Sequence, residues 1–421
     1  MRGVSSSWVV IGASFVAMGG VLPVFVTGGL SVQLRSSLSF GEAQLGIAVA
    51  AFFCTAAIFS VALGGLVERM GARKSLLISS LVSSCVLLAM AIAVHSWGDL
   101  VLALIIGGVA NGLAQPSANL YLAKGVSRDR QGFAFGLKQS AMPMATLIGG
   151  ASVPLIALTI GWRWAFGLAV LLPLLGGASV LLKEGERVIY RHEGSVSPLL
   201  PQRRDDETAG ANNGPKEQSL SYERAILDHS SRFPYGAFIA LAVGAALGVS
   251  ASNCLGAYTV STVVSSGLSP GVAGAVAAGG AGVCVAARLV VGVRADRRNS
   301  KHLVVVATML ALGAVGFLGL ATTVPELVII GEALAFGLGW GWNGLFNYSV
   351  VRLYPAAPGK ATGVTQTGVY TGAALGPLGF GLLLEHSSYS LAWSVAAGEA
   401  LIGAAAMLIA RRLAMRSSLG R

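Results

Sequence analysis

The sequence predicts an all-α membrane protein with twelve transmembrane helices, arranged as two pseudo-symmetric bundles of six. Three observations support this fold class. The chain of 421 residues is 54% hydrophobic, only 11% charged and contains 57 glycines, and small residues let helices pack closely in lipid. Its apolar residues form runs long enough to cross a bilayer. The second half also repeats features of the first half, as expected for a protein built from two copies of one unit.

The apolar runs predict where the helices lie. About 20 mostly apolar residues span the hydrocarbon core of a bilayer. Each half of the chain contains six such runs, at 8–32, 44–67, 74–95, 99–123, 133–157 and 163–183, and at 235–258, 270–292, 302–322, 326–350, 361–384 and 390–412. The first run is too long for a secretory signal peptide and lacks a small-residue cleavage site, so we expect it to remain as a helix.

Two motifs in the first half recur in the second half at a nearly constant distance. A glycine stands four residues before an acid–arginine pair after span 2 and again after span 8. The copies are Gly64, Glu68 and Arg69, and, 228 positions later, Gly292, Asp296 and Arg297. Gly136, Gln139 and Gly149 of span 5 recur 227 positions later as Gly363, Gln366 and Gly376. A shift near half the chain length indicates an internal duplication.

One long polar segment separates the two sets of spans. It mixes acidic and basic residues with Pro, Gly, Ser and Asn, and little in it can form a core. The sequence therefore predicts an N-terminal six-helix bundle at 1–184, a flexible cytoplasmic linker at 185–233 and a C-terminal six-helix bundle at 234–421. A tether is the expected role of the linker, and regulatory docking is the alternative.

The distribution of basic residues predicts the orientation. With the N-terminus inside, the short cytoplasmic pieces hold seventeen Lys and Arg and the outer loops hold two, Arg35 and Arg163. Positive residues favour the cytoplasmic side, so we expect a multi-pass protein of the cell membrane with both termini in the cytoplasm. The net charge of +11 then faces anionic headgroups, and no nucleic-acid partner is expected.

The four cysteines, Cys54, Cys85, Cys254 and Cys284, all fall inside spans and lack metal-ligand spacing. We therefore expect no disulfide, no metal and no cofactor. The five histidines lie in loops and at span ends, which leaves a polytopic membrane enzyme as a distant alternative.

Taken together, the two sets of six spans, the central linker, the duplicated glycine–acid–arginine motif and the segment 161–166 (GWRWAF) resemble the major facilitator superfamily over essentially the whole chain. The resemblance implies two six-helix bundles that rock about a central site and expose it to each side in turn. The family usually has Asp where this chain has Glu68, and Ala72 intervenes before Arg73.

The duplicated motif predicts a conformational latch between the halves. Its glycines would let spans approach each other, and its charges would cap helix ends and pair with acids. The latch residues are Gly64, Glu68, Arg69, Arg73, Gly292, Asp296 and Arg297. The alternative is that these charges only enforce topology.

Polar groups inside spans are costly, so each is a candidate for the transport pathway. Span 4 carries amides at i, i+4 and i+8, which share one helix face, and span 10 carries two at the same spacing. These residues and the duplicated glutamines are Asn111, Gln115 and Asn119; Asn343 and Asn347; and Gln139 and Gln366. Substrate binding and interhelical hydrogen bonding are the two interpretations.

Two ionisable residues complete the candidate site. Lys138 lies about five residues into span 5 beside Gln139, and it is expected either to bind a negative substrate group or to snorkel to the surface. Glu332 precedes Asn343 by eleven residues, about three helical turns, which would place both on one face. It is the candidate for proton coupling, and hydration at the outer end of span 10 is the alternative.

The leading hypothesis is a secondary active transporter that moves a small organic solute, a carboxylate or other organic anion, together with protons, as a monomer in the lipid bilayer. The sequence has no Walker loop, so ATP is not expected to drive it. Export of drug-like or amphipathic compounds by proton antiport is the alternative. Exporters of this superfamily usually have an arginine where Gly108 stands and a Gly-Pro pair in span 5, which this chain lacks.

Overall fold

The computed structural model describes residues 3–127, 131–182, 235–297, 302–353 and 358–419. The predicted linker lies outside these residues. Within them, all regular secondary structure is helical. Spans 1 to 6 consist of Gly3–Gly29; Glu42–Met70; Ala72–Ile92; Trp97–Gly125; Gln131–Gln139 with Ala141–Ser152 and the π-helical turn Val153–Ala157; and Trp162–Ala169 with Leu171–Leu182. A short helix, Ser31–Leu38, connects spans 1 and 2.

Spans 7 to 12 repeat this pattern. They consist of Tyr235–Ser265; Pro270–Arg297; His302–Ala321; Pro325–Leu334 with the π-helical Ala335–Trp340 and the helix Asn343–Leu353; Pro358–His386; and Tyr389–Leu419. In the described residues, eleven helices are long and apolar enough to cross a membrane. Span 10 is the twelfth, and its interruption keeps it from counting as one continuous helix. The prediction of twelve spans is confirmed.

The interruption of span 10 follows from its glycines. Gly337, Gly339 and Gly341 weaken the helix, and the Gly339 carbonyl accepts hydrogen bonds from the Ser252 hydroxyl at 2.7 Å and the Trp342 indole at 2.9 Å. Irregular backbone at membrane depth is tolerated when other groups satisfy its carbonyls. Side chains therefore compensate for the lost helical hydrogen bonds at this break.

Glycines also bring spans 9 and 10 into close contact. A Cβ atom on Gly316 would lie 2.7 Å from the Gly331 carbonyl oxygen, and one on Gly319 would lie 2.8 Å from the Gly331 Cα. Such distances are shorter than side chains tolerate. The helices cross here with backbone against backbone, the arrangement that small residues permit in membranes.

The two halves of the chain pack through related pairs of spans. Span 2 contacts span 11, span 5 contacts span 8, and span 1 contacts span 7. A Cβ atom on Gly150 would lie 2.7 Å from the Gly274 carbonyl oxygen, and one on Gly46 would collide with the Pro377 carbonyl. Gly46 and Gly274 are 228 positions apart, and Gly150 and Pro377 are 227 apart. The sequence repeat therefore relates the residues of one contact to the residues of the other.

The loops that follow odd-numbered spans lie on one face of the molecule, which we call the far face. The chain begins on the opposite face, the near face, which also carries the loops after even-numbered spans. The structure describes spans on both sides of the predicted linker, but the domain boundaries at 184 and 234 stay a prediction.

Candidate functional site

Lys138 is held inside the bundle by the amide stripe of span 4. Its side chain is only 4% exposed, and Nζ donates to Gln115 Oε1 at 2.5 Å. Gln115 Nε2 in turn donates to Asn111 Oδ1 at 3.1 Å, and Asn111 is buried. The sequence placed these three residues in two different spans, and the structure joins them in one chain of hydrogen bonds.

The snorkelling alternative does not describe this structure, because the ammonium group points to a neighbouring helix and is not exposed. In the described part of the chain its hydrogen-bond partner is a neutral amide. A neutral acceptor satisfies a donor but leaves the positive charge uncompensated. This geometry suits a site that receives an anion.

The other predicted amides are less buried. Asn119, two turns beyond Asn111, is exposed, whereas Gln139, Asn343, Asn347 and Gln366 are each partly buried. Asn343 begins the helix that follows the break in span 10. These residues stay candidate substrate contacts.

Glu332 is 1% exposed and lies near the end of the first helix of span 10, just before the break. Neither of its carboxylate oxygens has a hydrogen-bond partner among the described residues. A Cβ atom on Gly280 of span 8 would lie 3.2 Å from its Oε1. Burial rules out the hydrated position considered from the sequence. The expectation that three regular helical turns place Glu332 and Asn343 on one face is also wrong, because a π-helix and a turn separate the two residues.

Arg288 of span 8, four residues before Gly292, is a candidate site residue that sequence reasoning missed. The residue is 7% exposed, and its guanidinium donates to the Gln139 carbonyl of span 5 and, at 3.1 Å, to the Trp340 carbonyl of span 10. Pro143 explains the first contact, since it has no N–H for the carbonyl four residues earlier. The proline in span 5 was the available signal in the sequence.

The structure describes only part of the predicted latch. A Cβ added at Gly64, Gly65 or Gly292 would meet no neighbouring atom within 4 Å. Glu68 and Arg69 are exposed. Arg73 donates to the Val180 and Leu181 carbonyls at the end of span 6, both at 3.3 Å. The side chains of Asp296 and Arg297 lie outside the described residues. The latch stays a prediction.

The far face carries a polar cluster that sequence reasoning missed. Arg35 pairs with the Glu42 carboxylate, which also accepts a hydrogen bond from the Tyr389 hydroxyl. The Tyr258 hydroxyl lies 3.1 Å from the Glu42 carbonyl oxygen. Arg35, Glu42 and Tyr389 line a pocket of about 510 Å³. Because Tyr258 and Tyr389 belong to the second half, these bonds tie the two halves together on this face.

A twelve-span bundle whose two halves meet around buried polar and charged residues is the architecture of a membrane transporter. The Major Facilitator Superfamily model matches residues 7–377, and the chain belongs to that family. It is a multi-pass membrane protein, and transport is the function class that this membership supports.

Among curated relatives, the chain is similar to a D-xylose transporter of Levilactobacillus brevis, with 29% identity over 198 residues, 45% of this chain and 42% of that protein. It is also similar to the multidrug resistance protein MdtG of Escherichia coli, with 32% identity over 155 residues, 37% of this chain and 36% of that protein. The matches span less than half the length of each relative.

Solved structures support the fold over the whole chain. A bacterial homolog to the human lysosomal transporter Spinster, in an inward-facing and occupied conformation, aligns with a TM-score of 0.66 over 98% of this chain and 97% of that chain. The inward-facing and unoccupied form of that homolog aligns with a TM-score of 0.64. Sequence identity is 15% in both, so these structures establish the fold alone.

Proposed function

We propose that this chain is a secondary active transporter that moves a small organic anion, with a carboxylate as the recognised group, by alternating access and with proton coupling. The observation that carries the proposal is the buried ammonium group of Lys138, whose partner is the neutral amide of Gln115. A charge in the membrane interior needs an anion, water or a route to the surface. A bound carboxylate would supply the missing charge.

The surrounding polar groups support a specific site. Gln115 and Asn111 hold the ammonium group in one position, which lowers the entropy lost when a ligand binds. We assign substrate contact to Lys138 and to seven amides, Asn111, Gln115, Asn119, Gln139, Asn343, Asn347 and Gln366. Glu332 is assigned to proton coupling, because it is a buried carboxylate without a partner among the described residues.

We further propose that the protein resides as a monomer in the cell membrane, with both termini in the cytoplasm. The bias of basic residues toward the near face supports this orientation. The near face is then cytoplasmic, and the predicted latch operates there.

A thermal-shift screen of the purified protein tests the substrate class. Ligands that bind the folded state raise its melting temperature, so carboxylates should stabilise the protein more than sugars, amino acids or cationic drugs. The Lys138→Ala variant is the matched control, and it should lose the stabilisation by carboxylates. Stabilisation by sugars alone would contradict the anion proposal.

Export of amphipathic compounds is the second candidate, favoured by the similarity to MdtG. The same screen separates the two. Stabilisation by cationic drugs and by no carboxylate would place export ahead of anion transport.

A further inference from the structure

Arg288 places a second buried cation at the contact between the halves. It belongs to span 8, and the residue is only 7% exposed. Its guanidinium donates to the Gln139 carbonyl of span 5 and to the Trp340 carbonyl of span 10. Its Nε has no hydrogen-bond partner among the described residues. The guanidinium therefore retains donor capacity.

The two carbonyls explain where Arg288 lies but not how its charge is balanced. Both are neutral oxygens released by breaks in helices, one by Pro143 and one by the interruption of span 10. Among the described residues, no acidic group forms an ion pair with Arg288. A buried guanidinium held by neutral acceptors alone is costly.

Glu332 does not supply the missing charge. It lies beside Gly280, which precedes Arg288 by eight residues in the same helix. At 1.5 Å per residue this separation is about 12 Å along the helix axis. The carboxylate oxygens of Glu332 have no partner in the described residues, so the two groups are not paired in this structure.

Lys138 and Arg288 both lie near the break in span 5. Gln139, whose carbonyl Arg288 binds, directly follows Lys138 in the chain. One cation belongs to the first half and the other to the second. An anion between them would contact both halves of the molecule.

We propose that Arg288 is a second anion-binding residue, so that the substrate carries two negative charges, one balanced by Lys138 and the other by Arg288. This inference rests on the proposed function and narrows it to dianions, either dicarboxylates or phosphate monoesters. A guanidinium presents a planar fork of N–H donors that matches either group. A dianion that joins the halves also interacts differently with the open and closed states, as a transported solute must.

The test compares the affinity of the protein for each dianion with its affinity for an analogue that carries one negative charge less. The probes are the α,ω-dicarboxylates from malonate to adipate with their monoamides, and glycerol phosphate with its monomethyl ester. Affinities are measured by calorimetry on the full-length protein in detergent. We expect the wild-type protein to bind at least one dianion about 30-fold or more tightly than it binds the singly charged analogue of that dianion. This is the effect expected for a desolvated charge pair. The dicarboxylate and phosphate arms identify which dianion is preferred.

Variants assign the second charge to Arg288. Arg288→Gln should reduce the affinity for the dianion to that for the singly charged analogue, and should change the affinity for that analogue by no more than about threefold. Lys138→Ala should weaken the binding of both ligands. Arg163→Gln is the matched control, because Arg163 also donates to two carbonyls, those of Ala91 at 3.2 Å and Val94 at 2.7 Å. It should alter neither affinity.

Each remaining outcome counts against a defined claim. Equal wild-type binding of a dianion and its singly charged partner overturns the inference but leaves anion transport standing, and this comparison needs no variant to fold. An Arg288→Gln effect of equal size on both ligands would reduce Arg288 to a structural clamp. Binding of neutral or cationic solutes alone would overturn the proposed function as well.

Discussion

Glu332 is the residue through which we propose that protonation is linked to conformation. Its carboxyl group is 1% exposed and packs near Gly280 and Phe336. An unpaired charge is costly in these surroundings, and contact with water removes most of that cost. We therefore expect the protonation of Glu332 to change as the bundle opens and closes.

The first prediction concerns this carboxyl group. Glu332→Gln keeps the shape of the side chain but cannot exchange a proton, so it should abolish proton-driven accumulation and retain exchange of substrate between the two sides. Accumulation and counterflow in proteoliposomes measure the two activities. Glu399→Gln is the control, because Glu399 is a partly buried acid of the peripheral span 12. Normal accumulation by Glu332→Gln would rule out the coupling role.

The sequence predicted the polar residues of the site better than it predicted their partners. The spacing of Asn111 and Gln115 predicts a contact along one helix, and the structure contains it. The bond from Lys138 to Gln115 depends on the relative rotation of spans 4 and 5, which spacing within one span does not specify. Arg288 was missed for the same reason, because its acceptors lie in two other spans.

Span 10 illustrates the same limit for a whole element. Its apolar run at 326–350 predicts one continuous helix, but the structure divides it into two α-helices around a π-helix. Hydropathy reports burial in lipid and not the continuity of hydrogen bonds. The glycines indicated weakness, but the groups that stabilise the break, Ser252 and Arg288, come from spans 7 and 8.

The second prediction tests the close crossing of spans 9 and 10. Gly316→Val should lower the melting temperature, because the added carbons would collide with the Gly331 carbonyl and the Ala335 backbone. Overpacking of this kind costs about 1–3 kcal/mol. Gly398→Val is the matched control, since an added Cβ there meets no atom within 4 Å. Equal melting temperatures for the two variants would contradict the packing described for these spans.

The third prediction concerns the duplicated loop motif as an element. Glu68→Gln removes a charge that is exposed in this structure, so substrate affinity should change little. If the motif closes the near face in another conformation, the same variant should slow transport, as should Asp296→Asn. Initial transport rates and binding isotherms separate these effects. A normal rate in either variant would show that the latch does not operate in that half.

At the scale of the whole molecule, hydrogen bonds tie the two halves together on the far face. The Ser31 and Ser261 hydroxyls are 3.0 Å apart, and Tyr389 bonds to Glu42. Alternating access requires these far-face contacts to break when the near face closes. The repeat predicts the related contacts at Gly46 and Gly274, but the far-face cluster has no counterpart in the duplicated motifs.

The fourth prediction tests this far-face closure. Tyr389→Phe removes the hydroxyl that bonds to Glu42, and hydrogen bonds to charged groups contribute about 1.5–3 kcal/mol. The variant should therefore open the far face more often. A cysteine introduced at Ser265, in the far-face pocket, should react at least roughly fivefold faster with an impermeant maleimide in a background without native cysteines. Tyr348→Phe, in span 10, is the control, and equal rates in the two variants would contradict the gating role.

The central claim is that Lys138 binds the negative group of the substrate. Binding isotherms of a stabilising carboxylate with Lys138→Ala, Lys138→Arg and, as control, the exposed Lys74→Ala test it most directly. We predict that Lys138→Ala weakens binding by about 30-fold or more, that Lys138→Arg binds with intermediate affinity because the charge remains in a different geometry, and that Lys74→Ala binds like wild type. Wild-type affinity in Lys138→Ala, with only expression or stability changed, would contradict the claim.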